Sequence, residues 1–432
     1  PTEPDPREEN RAYRLRVDAD ARQRDWLGGQ GFDISGFDLE ANRVEVLTDQ
    51  AGLQRLQLRG LAYEILESRP AGLMGDPGPA AAGRPPTTDD PLPDQAYTDP
   101  LEMEAYLTQV AADHPGITRL EAIGTSIGGR TIWALMISDN AWAEEDELAI
   151  LLNSAHHGRE VMTPEVLIDL IDHLTDGYGV DPQLTAHVDN YQIWTVPMVN
   201  PDGVDLVFTT DRWWRKNLRD NDENGSITWK DGVDVNRNYE WGFGGQCVGS
   251  SESGSDATYR GAFEGSEPEA ATMIALGRRL RPVFYVEFHS YGEDVFYSLG
   301  CDPTLSPALS TITGPDQSIA RVVAEDYAAQ IVQADGQTGF LASAYGNRVD
   351  GIGRDQHAHD SGAISFVTEV NAFAEGGFQP DFATWRDATV LGQRPGWLWL
   401  LDRIGGPAIG GHVVDAVTGQ PLQASLELDE MT

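Results

Sequence analysis

The chain has 432 residues, enough for one large or two to three ordinary domains. Its 30 Lys and Arg against 69 Asp and Glu leave a formal net charge of −39, a surface that repels nucleic acid and anionic membrane and excludes both as expected partners. No run approaches the roughly 18–20 apolar residues of a membrane span.

The elements begin with a small unit over residues 11–68. Alternating apolar residues predict strands over 12–17, 32–39, 43–47 and 63–66, and helices over 20–29 and 50–58. That strand–helix–strand–strand–helix–strand order is a split-βαβ sandwich of the α+β class. Residues 69–97 carry Pro70, Pro77, Pro79, Pro85, Pro86, Pro91 and Pro93 and read as an extended, protease-sensitive linker. From residue 98 to 404 the pattern becomes α/β. Helices are expected over 101–114, 164–174 and 268–280, with strands over 118–123, 131–137, 149–153, 192–196, 283–289 and 363–370. Site residues then fall at strand ends, where open α/β sheets place their ligands. Residues 405–432 resemble the opening hairpin of a truncated β-sandwich. Cys247 and Cys301 either pair or stay as thiols, and two are too few for a disulfide framework.

The chemistry concentrates in a few motifs. His157-Gly158-Arg159-Glu160 follows an apolar strand, and a His and a Glu at that spacing can turn onto one metal ion. Alone the pattern is weak, because a surface His near a Glu is common. His289 ends a second apolar strand; with His157 and Glu160 it makes a two-His, one-carboxylate set that leaves zinc an open position for water. Zinc lowers that water's pKa to about 7. Asp234 is placed to hold one histidine in the correct tautomer. Glu369, ending the strand Ala363-Ile364-Ser365-Phe366-Val367-Thr368, is the candidate general base.

The motifs in this order, from Gly124–Arg130 through His157–Glu160, Asn200-Pro201-Asp202-Gly203, Arg212–Lys216, Asp234–Asn238 and His289-Ser290-Tyr291 to Glu369, resemble the zinc carboxypeptidases of the A/B/T family over about residues 96–400. The resemblance implies a mixed eight-stranded sheet flanked by helices, zinc as cofactor, and peptide or protein C-termini as substrate. It implies Arg215 as the oxyanion-stabilising group, Asn236 and Arg237 as the clamp on the terminal carboxylate, and Arg159 as a further substrate-binding arginine. Tyr345 matches the mobile tyrosine that closes over the substrate, across a longer interval than the usual pattern. Arg354 falls at the base of the side-chain pocket. There it would favour C-terminal Asp or Glu, or else turn away to pair with Asp355 or Asp360. Residues 11–68 resemble a pro-segment, which either blocks the cleft until the linker is cut, as in a zymogen, or simply remains attached. Residues 405–432 resemble the start of a transthyretin-like module. Residues 1–10 are polar and charged, but a secreted precursor would have lost its signal, and secretion is the expectation.

Asp220 to Asp231 also reads like a calcium loop, with oxygens at Asp220, Asp222 and Asn224, Gly225 at the sharp turn, Ser226 next and Asp231 at the last position, where Glu is usual. Gly124-Thr125-Ser126-Ile127-Gly128 fits a serine-hydrolase pattern, but the following strand makes it a hairpin turn. Two rival functions remain. One is a zinc amidase or endopeptidase on peptidoglycan, which the carboxylate clamp disfavours. The other is a silent binding protein on the same scaffold, which intact Glu369 and the three ligands disfavour.

Overall fold

The computed structural model describes residues 11–30, 32–38, 42–70, 96–143, 145–244, 249–298, 315–343, 349–405 and Thr418. Most of the expected linker, the C-terminal hairpin beyond Gly405, Tyr345 and both cysteines lie outside the described residues.

The N-terminal unit runs β1 (Arg11–Asp18), α1 (Ala21–Gly29), β2 (Asp33–Asp38), β3 (Arg43–Asp49), α2 (Gln50–Arg59) and β4 (Tyr63–Pro70). Its antiparallel sheet has the order β2-β3-β1-β4, the expected split-βαβ arrangement. Alternation sends Leu15, Val17, Val44 and Val46 to one face, where they bury against Leu27, Leu53 and Leu56 of the helices.

The large unit packs against the end of the expected linker. Tyr97 is buried in its core and donates to the Pro380 carbonyl at 2.8 Å. Asp99 then caps α3 (Pro100–Asp113) in a capping box with Glu102, and Pro100 takes the first helical position. There follow β5 (Thr118–Thr125), β6 (Thr131–Ile137), β7 (Leu148–Ser154), α4 (Met162–Gly177), α5 (Pro182–Asn190), β8 (Tyr191–Val196), α6 (Pro201–Thr209), α7 (Pro268–Leu280), β9 (Phe284–Ser290), β10 (Asp294–Tyr297), α8 (Pro315–Gln330), β11 (Leu341–Ser343), α9 (Gly353–Ser361), β12 (Ile364–Val370) and α10 (Phe382–Ile404). One eight-stranded mixed sheet results, in the order β11-β10-β12-β9-β7-β8-β6-β5. Its centre, β12, β9, β7 and β8, is parallel. These strands are largely buried, and β7 reads as a near-continuous apolar run.

β5 and β6 form an antiparallel hairpin, and Gly129 N bonds Ser126 O across the turn at 2.9 Å. The serine-hydrolase pattern is therefore a turn between strands, as its sequence context predicts. Helices α5, α6, α8, α9 and α10 escape the sequence reading. No helix among the described residues is long and apolar enough to cross a membrane.

Candidate active site

Strands β7, β9 and β12 lie side by side and parallel, so their carboxyl ends open on one edge of the sheet. The chain leaves β7 through a turn that carries His157 and Glu160 before α4 begins. That turn packs so closely on α6 that a Cβ on Gly158 would meet the Gly203 carbonyl at 2.3 Å, which is why glycine separates His157 from Arg159. His289 lies at the end of β9, and in the β12–β9 register Glu369 is paired with it.

The three proposed ligands converge. His157 Nδ1 is 2.7 Å from Glu160 Oε1, and His289 Nδ1 is 3.0 Å from Glu160 Oε2 and 3.2 Å from His157 Nδ1. All three side chains are buried. A tetrahedral zinc with bonds of about 2.0–2.1 Å has ligand atoms about 3.3 Å apart, close to these spacings. Two imidazole nitrogens facing each other over a carboxylate suit a shared cation, so the donor set fits zinc.

Asp234 lies behind this cluster. It caps a single 3-10 turn at Val235–Arg237, and its Oδ1 meets His157 Nε2 at 3.2 Å. Its Oδ2 accepts from Arg215 Nε and Nη2 at 3.0 and 2.8 Å. Burial pushes the Asp234 carboxyl up, but Arg215, Arg237 and His157 outweigh it and hold it well below its usual value. One carboxylate thus aligns a candidate ligand and the candidate oxyanion arginine. Glu369 behaves the opposite way. Its placement deep among protein atoms, with Glu160 nearby, pushes its carboxyl up to about 7 despite His289, Arg215 and Arg237. A cation beside it would pull that value down.

The remaining substrate-site candidates among the described residues are engaged. Asn236 Nδ2 donates to Glu287 Oε2 at 3.0 Å, and its Oδ1 accepts from Gly353 N at 2.8 Å. Arg237 donates to the carbonyls of Gly249 and Asn236. Arg354, buried in the first turn of α9, bonds Asp355 Oδ1 at 3.0 Å, one of the two pairings weighed for it.

Arg159 is committed to a residue that sequence reasoning missed. Its two terminal nitrogens grip Asp33 of β2, at 2.6 and 2.8 Å, in a buried bidentate pair, and its guanidinium lies 4.2 Å from the Phe378 ring centre. Arg215 Nη1 comes within 3.9 Å of the same Asp33 carboxylate. Burial alone would raise the Asp33 carboxyl, but Arg159 and Arg215 hold it below its ordinary value. Around this pair Leu47 of the N-terminal unit packs with Trp213, Tyr291 and Phe378, and Tyr291 donates to the Glu45 carboxylate. The N-terminal unit is therefore seated on the candidate site with an acid inserted among its arginines. No local signal marks Asp33, since its partner is 126 positions away.

A second buried cluster, His156, Glu287 and His289, also brings three possible ligand atoms together. In the expected calcium loop, Asp220, Asp222 and Asp231 approach one another. Asn224 and Ser226 use their backbone N–H groups within the loop, and Asp231 accepts from Asn221 N, Thr228 N and Thr228 Oγ1. The loop is ordered by its own bonds.

Sheet, helices and this strand-end cluster define an α/β protein built around a His/Glu/His site able to hold a metal. Residues 103–386 match the zinc carboxypeptidase family, peptidase M14, and the chain belongs to it. It is 34% identical over 228 residues to a zinc carboxypeptidase of Saccharothrix mutabilis subsp. capreolus, covering 51% of this chain and 49% of that relative. It is 29% identical over 269 residues to carboxypeptidase A1 of Sus scrofa, covering 61% and 62%. These matches span about half to three fifths of the relatives' own length. Among solved structures, carboxypeptidase A from Helicoverpa armigera superposes with a TM-score of 0.71 at 21% identity, over 92% of this chain and 98% of that one. That likeness concerns the fold.

Proposed function

We propose that the protein is a zinc-dependent carboxypeptidase that removes single residues from peptide or protein C-termini and is held in check by its N-terminal unit. The observation that carries this reading is the meeting of His157, Glu160 and His289 at the ends of adjacent strands, with Glu369 in register beside His289 and Arg215 aligned by Asp234. When bound there, zinc supplies Lewis acidity that polarises a carbonyl and acidifies a water. Glu369 takes the proton of the attacking water onto its carboxylate and delivers it to the leaving amine nitrogen. Arg215 faces the charge that develops on the carbonyl oxygen, a contribution of about 3–4 kcal/mol per donor. Asn236 and Arg237 receive the terminal carboxylate, which demands a chain end. Tyr345 closes over the substrate. Arg354 faces the terminal side chain and favours Asp or Glu, exchanging its bond to Asp355 for the substrate's acid. Arg159 binds substrate once Asp33 has left it.

In this reading the N-terminal unit makes the chain a zymogen. Asp33 occupies Arg159 and crowds Arg215, and release follows cutting of the linker. Secretion fits a peptidase delivered in blocked form. Calcium in the Asp220–Asp231 loop is proposed as a stabilising ion outside the reaction, supported by the approach of the three aspartates.

The test is mass spectrometry of a defined peptide incubated with the zinc-loaded chain before and after linker proteolysis. A ladder shortened from the C-terminus, faster after cutting, is expected. Internal cuts would favour the peptidoglycan amidase or endopeptidase, and an intact peptide would favour a silent binding protein.

A further inference from the structure

Every residue of β9 is buried, yet its fourth is an acid, Glu287. A buried carboxylate requires donors on both oxygens, and Glu287 has them. Oε1 accepts from the Tyr285 hydroxyl at 2.8 Å, and Oε2 lies 3.0 Å from Asn236 Nδ2 and 3.3 Å from His289 Nε2. The two nitrogens of the His289 ring therefore have different duties: Nδ1 faces His157 and Glu160, while Nε2 faces Glu287. Asn236 Nδ2 and His289 Nε2 stand 3.2 Å apart, and a common acceptor at Oε2 accounts for that approach of two donors. The fit leaves no slack, because a Cβ on Gly353 would come within 2.0 Å of Glu287 Oε1.

We infer that Glu287 is a positioning residue which fixes the His289 ring, tautomer included, and the Asn236 amide from one carboxylate, tying the metal site to the substrate clamp. This rests on the carboxypeptidase reading above. A histidine ligand whose far nitrogen is held by a carboxylate is more basic and pre-oriented, and loss of such a support commonly weakens metal binding about 10- to 100-fold. The competing reading is a second ion held by His156, Glu287 and His289. Against it, the Glu287 contacts with Tyr285, Asn236 and His289 are those of a hydrogen-bonded acceptor, and zinc stoichiometry decides between the two.

The test uses the full chain. Zinc affinity is read by competition with a chromophoric chelator, zinc stoichiometry by elemental analysis, and ligand geometry by the visible spectrum of the cobalt-substituted protein. Glu287→Gln is expected to bind one zinc about 10- to 100-fold more weakly than the parent, with a shifted cobalt spectrum. Thermal melts of the metal-free proteins report whether the variant folds. If it does not, Tyr285→Phe, which removes one donor and leaves the carboxylate, is read in the same assays with a several-fold loss expected. Parent-like zinc affinity and cobalt spectrum in a folded variant overturn the inference, as does a parent that binds two zinc ions and loses only one in Glu287→Gln. If His157→Ala binds zinc as tightly as the parent, the carboxypeptidase reading itself falls and the inference with it.

Discussion

Asp33→Asn is the sharpest perturbation of the blocked site, because it removes one charge from the N-terminal unit and leaves every proposed catalytic and substrate-binding side chain intact. Asp33 and Arg159 are both buried, and their pair is bidentate. Removing one partner of such a pair commonly costs about 3–5 kcal/mol, because the other charge stays buried and uncompensated. Asparagine keeps one acceptor, so the lower end applies. At about 1.4 kcal/mol per tenfold, roughly 3 kcal/mol raises the open fraction of the uncut chain about 100-fold. The assay is the rate of C-terminal residue release by the uncut variant, set against the uncut and linker-cut parent. Activity in the uncut variant should rise about 100-fold or to the level of the cut parent, whichever comes first, and zinc content should not change. If uncut Asp33→Asn stays as inactive as the uncut parent while linker cutting activates both, the Asp33–Arg159 pair is not what blocks the site. The sign with pH follows from two acids at the same contact. Asp33 is held below its ordinary 3.8, so its contribution is present above that value and is lost only as pH falls through the lower, docked one. Glu45 is raised above 4.5 by burial, opposed by the Tyr291 bond, so its charged form is the disfavoured one and mild acid relieves it. Acidification to about pH 4.5 should therefore leave the uncut chain blocked.

Glu369→Gln should lower kcat about 10²- to 10⁴-fold with zinc content and KM little changed, and a variant that keeps more than a tenth of parental kcat removes Glu369 from the proton transfer. Release rates on peptides ending in Glu, Phe and Arg should rank Glu first, and Arg354→Met should erase that rank; fastest removal of Arg by the parent refutes the assignment. Glu269, buried on α7, accepts from Ile127 N and Asn217 Nδ2, yet burial pushes its carboxyl up to about 7. The folded state then keeps a proton that the unfolded state loses above 4.5, so stability falls as pH rises from there to about 7, by up to about 3 kcal/mol. Urea melts of Glu269→Gln between those limits should give a flatter curve than the parent, and parallel curves would contradict the argument. Zinc-reloaded protein freed of other ions should melt higher with calcium than without, and an unchanged Tm removes the ion from the Asp220–Asp231 loop.

How much was legible depends on the range of the interaction that carries each feature. His157 and Glu160 are three residues apart on one turn, so their meeting is written locally. The ends of β9 and β12 were readable as apolar runs, but nothing local states that Glu369 is in register with His289, an outcome of parallel pairing across the sheet. Helix α9, Gly-Arg-Asp-Gln-His-Ala-His-Asp-Ser, has almost no apolar face to detect, yet its first five residues are buried, His357 against the Tyr285 ring. Helix α10 carries Pro395 in its interior, which argues for a break that tertiary packing overrides.

Glu287 did leave a signal: an acid inside a seven-residue strand otherwise made of Phe, Tyr, Val, His and Ser must find donors if the strand is central. Asp33 left none. It begins a short strand with unremarkable neighbours, and its meaning comes entirely from docking against Arg159. On the proposed reading, such a chain encodes its chemistry in short motifs and its restraint in long-range contacts between its two units. The restraint can therefore be lost by a single substitution outside every motif, and that is why Asp33 discriminates better than any site residue between a blocked peptidase and one that merely keeps an N-terminal unit attached.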